Sequence, residues 1–242
     1  MPPPTFEVRL SRARMLSPNV RELAWSRTDG LPFDFAAGQW VSLILPLEEG
    51  EARRAYSIAS APEGTPTFEV AITHVSGGPG STYLHALPEG SLIRAIGPQG
   101  FFTRPKDATH PALFIGTGTG ITPLRSMIKS ALGAGSNAPL RLLFGTRREE
   151  DRIYRDEIEA LAAKHPNFSA QYTLSRGRDD WSGLRGYVQT HVEAAWRELE
   201  TKSAEPPHAY ICGLERMVGA VRELLRKQMG VDRKQVHSER YD

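Results

Sequence analysis

The sequence predicts a two-domain protein, an antiparallel β-barrel followed by an α/β domain built on a parallel sheet. Three observations carry this expectation. At 242 residues the chain is long enough for two domains that each bury a core. Before residue 105, short runs with β-branched and aromatic residues alternate with turn signals. After it, strand-like runs alternate with segments of helical periodicity. The change falls in TRPKDATHP, which is polar and carries two prolines, so residues 1–104 form the first expected domain and residues 105–242 the second.

In chain order, the strand candidates of the first domain are FEVRLSRARML, VRELAWS, GQWVSLILP, RRAYSIAS, TFEVAITHV and SLIRAIG, with EEGE and PEGTP as turns. Runs of this kind at this spacing read as a small antiparallel barrel. In the second domain PALFIG, LRLLFG, SAQYTLS, HAYICG and KQVHSE are strand candidates. Apolar residues recur at helical spacing between them: Ile121, Leu124 and Ile128; Ile158, Leu161 and Ala162; Val188, Val192, Trp196 and Leu199; and Leu214, Met217, Val218, Val221, Leu224 and Leu225. Strand and helix in alternation predict a parallel sheet with crossover helices.

Composition removes several classes of function. A content of 40% hydrophobic and 24% charged residues is that of a soluble globular protein. MPPPTFEVRL has no apolar leader region and no apolar run approaches the roughly 20 residues needed to span a bilayer, so a cytoplasmic protein without membrane insertion is expected. A net charge of +2, with no basic patch interleaved with aromatics, gives no reason to expect nucleic acid. The single cysteine, Cys212, excludes an intrachain disulfide, a Cys-ligated iron-sulfur cluster and a four-Cys zinc site. The seven histidines show no pair at metal spacing, and His74, His85 and His237 read as surface or strand-edge residues. Trp25, Trp40, Trp181 and Trp196 read as core or interface anchors, and the cations from Arg222 to Lys234 as a solvated helix face.

Two segments carry chemistry. In RAYSIAS, strand spacing puts Arg54 and Tyr56 on one face and Ser57 on the other. A guanidinium that grips phosphate beside a ring that lies flat on a polycycle suits a phosphorylated aromatic cofactor. In GTGTGITP, glycines that follow a strand and open a helix allow close approach of an anion to free N–H groups. The GxGxxG fingerprint is incomplete, because Ile121 stands where its third glycine would be. Together the two segments suggest a flavin exchanging electrons with a nicotinamide. At the carboxyl edge of the expected sheet, GTRREED offers Arg147 and Arg148 where an acidic residue usually holds a ribose without 2'-phosphate. Ser175 and Arg176 end the next strand, and Cys212 and Gly213 the one after. The cations favour NADP over NAD.

The order of barrel, RAYS, GGPGSTYL (Gly77 to Leu84), GPQG (Gly97 to Gly100), GTGTGITP, SR, CG and a Tyr near the end resembles the ferredoxin-NADP reductase superfamily across essentially the whole chain. The resemblance implies a flavin-binding barrel and an NADP-binding α/β domain. It implies that Arg54 neutralises flavin phosphate, Tyr56 packs on the isoalloxazine and Ser57 hydrogen-bonds near flavin N5. Gly80, Ser81 and Thr82, at a helix start, would hold the pyrophosphate of FAD. Thr119 with Gly118 and Gly120 would hold the nicotinamide nucleotide, and Ser175 and Arg176, with Arg147 nearby, its 2'-phosphate. Cys212 and Gly213 would lie near the nicotinamide, Glu239 would assist Ser57 with protons, and Tyr241 would cover the flavin. The chain continues past Tyr241 to Asp242, a departure from relatives that end on the aromatic.

The expected activity is therefore that of an FAD-dependent, NADPH-preferring reductase exchanging electrons with ferredoxin or flavodoxin, acting as a monomer. With one cysteine there is no fused ferredoxin module, so the electrons pass to a separate carrier. The rival is an NADH-dependent reductase component of a multicomponent oxygenase. From another class, a flavin- or nucleotide-binding regulatory module would bind the cofactors without turnover.

Overall fold

Period-two alternation builds the first domain. In β1 (Phe6–Ser17), Val8 and Leu10 are buried while Glu7 and Arg9 face solvent, as in a sheet with one wet face. With it pair β2 (Val20–Arg27), β3 (Trp40–Leu47), β4 (Gly50–Ser57), β5 (Thr67–Thr73) and β6 (Leu92–Gln99), all antiparallel, in the order β4-β3-β6-β1-β2-β5. Past Ser57 the chain crosses to the opposite edge. Ile58 bridges Val70 and the Ala59 N–H donates to the Glu69 carbonyl over 2.7 Å, which closes the sheet into a barrel. Helix α1 (Pro79–Ala86) lays Leu84 into the barrel core beside Trp25, Phe33 and Phe68. This computed structural model describes residues 5–241. Met1–Pro4 and Asp242, and with them the expectations about the two chain ends, lie outside the described residues.

The second domain has the expected strands β7 (Ala112–Thr117), β8 (Leu140–Thr146), β9 (Phe168–Leu174), β11 (His208–Leu214) and β12 (Val236–Tyr241). A further strand, β10 (Leu184–Arg185), is two residues long and so leaves no periodic signal. All are parallel, in the order β10-β9-β8-β7-β11-β12. Helices α2 (Ile121–Gly133) and α3 (Arg155–Lys164) cover one face, and α4 (Val192–Glu200) and α5 (Glu215–Glu223) the other. Because β7 is covered on both faces, it reads as a continuous apolar run rather than an alternating one.

The two domains share one apolar cluster. Val20, Ala37, Ala59, Ala71 and Phe102 of the barrel side pack with Ile121, Leu124 and Ile128 of α2 and with Phe114 and Tyr210 of the sheet. Helix α2 is thus sandwiched between barrel and sheet, and even its polar residues Arg125 and Ser126 are buried. Ser126 Oγ donates to the Ser60 carbonyl over 2.6 Å. Trp25 and Trp196 are core residues, as expected, whereas Trp40 and Trp181 are only partly buried. Among the described residues, no helix is long and apolar enough to cross a membrane.

At the amino ends of β7, β11 and β12 three histidines come together. His208 Nδ1 and His237 Nε2 lie 3.0 Å apart, His110 stacks on His208 at 3.8 Å between ring centroids, and His110 Nε2 is 3.1 Å from the Tyr210 hydroxyl. His237 is indeed on an edge strand, but its ring is turned inward onto Tyr210, with centroids 4.7 Å apart. Burial, then the neighbouring His208, Arg104 and His237, push the His110 pKa down to about 4. His208 and His237 are lowered as well, first by burial. The unfolded chain therefore binds protons that the folded one refuses. This stabilisation is complete above the ordinary histidine value of about 6.5 and is lost as the pH falls towards about 4. We expect the melting temperature to drop by roughly 3–6 °C between pH 6.5 and 4.5, and the drop to be smaller in His110→Gln. An equal drop in both proteins, followed by calorimetry, would assign the acid sensitivity to other groups.

Candidate active site

Parallel pairing brings the sequence-predicted residues of the second domain to one edge. Gly116, Cys212 and Glu239 occupy one row across β7, β11 and β12, and Tyr241 lies opposite Leu214 one turn of the pleat further on. This is the carboxyl edge, where open α/β sheets bind ligands. The barrel strand β4 ends against it. Ser57, the last residue of β4 and 5% exposed, donates from Oγ to Glu239 Oε2 over 3.0 Å and accepts from the Tyr241 hydroxyl over 2.6 Å. The Tyr241 hydroxyl also lies 3.3 Å from Thr122 Oγ1, whose own proton goes to the Thr119 carbonyl over 2.8 Å.

Three links join Glu239, Ser57, Tyr241 and Thr122, but the Ser57 and Tyr241 hydroxyls bring only two protons. With Glu239 ionised, the Tyr241–Thr122 contact has no proton. A protonated Glu239 supplies the third and reverses the run, from Glu239 to Ser57 to Tyr241 to Thr122. Burial raises the Glu239 pKa, against the lowering effect of its bond to Ser57. Burial likewise holds Tyr241 far above the ordinary phenol range. The arrangement links a buried carboxyl of the sheet to a barrel hydroxyl through a continuous run of hydrogen bonds.

Cys212 is fully buried, and burial, then the facing Glu239 carboxylate, push its thiol up. It lies in the floor of the site, in the row that Gly116, Cys212 and Glu239 form. Two glycines make this floor possible. A side chain on Gly120 would collide with the Cys212 carbonyl, and one on Gly213, at φ +149°, with Thr117 Oγ1. Thr117 Oγ1 is buried without a hydrogen-bond partner among the described residues, a polar atom that a nucleotide over the Gly118–Gly120 turn would satisfy.

On the barrel, Arg54 and Tyr56 project on the same side as their cross-strand partners Leu43 and Val41. Tyr56 is largely buried, which raises its hydroxyl pKa to about 12. Arg54 lies against the first turn of α1, where a Cβ on Gly80 would come within 3.3 Å of the Arg54 side chain. The helix starts at Gly78 with no side-chain cap. Ser81 Oγ is used locally, donating to the Gly78 carbonyl over 3.0 Å and accepting from the Val75 N–H over 3.0 Å, and the Thr82 N–H is bonded to the Gly78 carbonyl. The free donors of this turn are accordingly the N–H groups of Gly80 and Ser81, beside an exposed guanidinium. A helix start without a side-chain cap, a glycine pressed on an arginine and a flat ring on the same strand face fit a phosphorylated flavin.

The outer end of the carboxyl edge is cationic. The Arg176 N–H donates to the Arg147 carbonyl over 2.8 Å, which sets the two residues side by side with Ser175. Among the described residues neither guanidinium has an ionic or hydrogen-bond partner. Arg185, by contrast, is spent on the carbonyls of Gly177, Arg178, Asp179 and Trp181 and so shapes the 177–181 loop. Sequence reasoning passed over Tyr187, which is 67% exposed and follows β10 beside Ser175 and Arg176. It also passed over Thr117 and Thr122, which stand inside GTGTGITP.

Comparison with known proteins agrees with this geometry. Residues 7–103 match the oxidoreductase FAD-binding domain family and residues 114–223 the oxidoreductase NAD-binding domain family. The chain is 58% identical to ferredoxin-NADP reductase B of Sorangium cellulosum over 238 residues, covering 98% of each protein. It is 30% identical to the glycine betaine monooxygenase reductase subunit of Pseudomonas aeruginosa, over 92% of this chain but only 60% of that longer protein. The structure of a mutant ferredoxin-NADP+ reductase from Plasmodium falciparum in complex with 2'P-AMP superposes with a TM-score of 0.80 at 25% identity, over 98% of this chain and 96% of that one. Fold and site together define a flavoprotein oxidoreductase that uses FAD and a nicotinamide dinucleotide. The chain belongs to the ferredoxin-NADP reductase family.

The Cys212 environment is open to a direct check. A disulfide reagent should label the native thiol at least about a hundredfold more slowly than the denatured one, since each unit of raised pKa removes tenfold of the thiolate. Equal rates would mean that the thiol is accessible and ionised, contrary to its placement.

Proposed function

We propose that this protein moves electrons between NADP(H) and a one-electron carrier, ferredoxin or flavodoxin, through FAD held by residues 1–104, with residues 105–242 holding the nicotinamide nucleotide. The observation that carries the reading is the meeting of Ser57 from the barrel with Glu239 and Tyr241 from the sheet, at hydrogen-bond distance across the domain seam. FAD held there would supply the chemistry that links a two-electron hydride donor to a one-electron carrier.

The residues of this chain supply the rest. Arg54 and the Gly80–Ser81 turn neutralise the phosphates of FAD, and Tyr56 gives its flavin a face to lie on. Tyr241 is the second flat surface, on the nicotinamide side. Ser57 holds a proton at Oγ, and Glu239 replenishes it from a carboxyl that burial keeps protonated to higher pH than an exposed one. Cys212 and Gly213 form the apolar floor on which a nicotinamide rests, and Gly118, Thr119 and Gly120 approach its phosphates. Arg147, Ser175 and Arg176 take the 2'-phosphate, and the Tyr187 ring stacks on adenine. These cations favour NADPH over the NADH of the rival reading, in which the chain would serve an oxygenase. The 58% identity to a ferredoxin-NADP reductase along its full length, against 30% to a longer oxygenase reductase, favours the same side. A regulatory module without turnover would have no use for the buried Ser57–Glu239 pair. We place the protein in the cytoplasm, as a monomer.

The test is cofactor release followed by titration. Denaturation should release FAD and not FMN, and NADPH should reduce the bound flavin anaerobically at lower concentration than NADH. A charged hydrogen bond is worth roughly 1.5–3 kcal/mol, so Arg176→Ala should weaken NADPH binding by about ten- to 150-fold and leave NADH nearly unchanged. Equal losses for both nucleotides would remove Arg176 from the 2'-phosphate site, and release of FMN alone would overturn the assignment of Gly80 and Ser81.

A further inference from the structure

Arg125 lies on α2 one turn beyond Thr122, and its side chain is 3% exposed. Every arm of its guanidinium is committed. On its own domain, Nε and Nη2 donate to the two oxygens of Glu157 over 2.7 and 3.1 Å, the bidentate geometry that fixes a guanidinium plane. Across the seam, Nη1 donates to the Ala59 carbonyl over 2.7 Å and to Glu69 Oε2 over 2.9 Å. The guanidinium also lies over the Tyr154 ring, 4.3 Å from its centroid. Arg12 holds the other oxygen of Glu69 over 2.9 Å, and Lys129 reaches Glu157 over 2.7 Å, so both carboxylates are themselves held.

The position of these contacts matters more than their number. Ala59 is two residues after Ser57, on the segment that closes the barrel, and Ser60 is bound by Ser126, the neighbour of Arg125. Helix α2 begins directly after the Gly118–Gly120 turn and carries Thr122, which faces Tyr241. Arg125 therefore ties the end of the flavin-side strand to the helix that sets the nicotinamide-side turn, with no atom of its own at the reacting centre. A buried ion pair is a poor device for stability, because its desolvation offsets most of its attraction.

We propose that Arg125 is a positioning residue for hydride transfer, locking the 57–60 segment to helix α2 so that the two cofactor sites face each other at a fixed distance. The proposal rests on the reading above that both sites meet at Ser57. A misplacement of about 1 Å at a reacting centre costs on the order of a hundredfold in rate, whereas binding energy spread along a dinucleotide is barely touched by it.

The experiment compares Arg125→Ala, Glu69→Gln and Glu157→Gln with the wild type, each as FAD-loaded protein. Glu69→Gln removes the charge from a seam-crossing arm and leaves the rest of the guanidinium's partners in place, so it decides the question if Arg125→Ala does not fold. Three quantities are read: the stopped-flow rate of flavin reduction by NADPH, the dissociation constant for NADP+, and the long-wavelength charge-transfer absorbance of the mixed cofactors. Hydrogen exchange of the apoproteins at residues 57–60 and 119–126 gives a readout without cofactor. We expect Arg125→Ala to slow reduction by about 10- to 100-fold, with NADP+ binding within about threefold of wild type, a reduced charge-transfer band, and faster exchange in both segments. Glu69→Gln should show the same pattern at about three- to tenfold, and Glu157→Gln a smaller rate effect than Glu69→Gln. Wild-type rates and charge-transfer absorbance in Arg125→Ala, or in Glu69→Gln where the former does not fold, would overturn the proposal and leave the cofactor reading standing. A wild-type protein that NADPH does not reduce would overturn both.

Discussion

One hydroxyl sets the tolerance of this structure. Ser57 belongs to the barrel, while the groups it bonds, Glu239 and Tyr241, end the last strand of the other domain about 180 residues later in the chain. Bonds of 3.0 and 2.6 Å leave little room for the domains to slide or tilt. Each domain has its own hydrophobic pattern, but the site exists only where the two are held in this register. The rest of the architecture is arranged to keep them there.

Three constraints do so. The apolar cluster around Phe102, Ile121 and Tyr210 supplies attraction that is proportional to area and indifferent to direction. It brings the domains together without choosing a register. Direction comes from the polar contacts threaded through the same seam, in which Ser126 binds the Ser60 carbonyl and Arg125 binds the Ala59 carbonyl and Glu69. Close packing at the floor adds a third constraint, since Gly120 lies against the Cys212 backbone with no room for a Cβ. The turn that precedes α2 is thereby fixed to the end of β11 as firmly as α2 is fixed to the barrel.

Much of this was legible in the sequence, for reasons that differ by residue. The barrel strands show because one face is wet, so Val8 and Leu10 alternate with Glu7 and Arg9. The parallel strands show because they are apolar throughout, as in ALFI. Ser175, Arg176 and Cys212 are legible as neighbours because a parallel sheet delivers every strand end to one edge, so position along the chain predicts position in space, whereas Glu239 enters only through the family resemblance. What was not legible depends on contacts between domains. Nothing local marks Arg125, a cation in the middle of a largely buried helix, as the partner of a carbonyl 66 residues away. Nor does spacing reveal that His110, His208 and His237 start neighbouring strands and stack. The only sequence signal for Arg125 was an arginine in a helix with too few solvent-facing positions to place it, and that signal names no partner.

The central claim is that Ser57 and Glu239 act as one unit across the seam. It is tested most directly by a double-mutant cycle on the pH-resolved rate of flavin reduction and reoxidation, using Ser57→Ala, Glu239→Gln and the double variant. Groups that pass one proton between them lose their function together, so the double variant should be about as slow as the slower single variant, with a coupling of roughly 1–3 kcal/mol. Losses that simply add would mean that the two side chains act independently, and that their hydrogen bond is an incidental contact between domains.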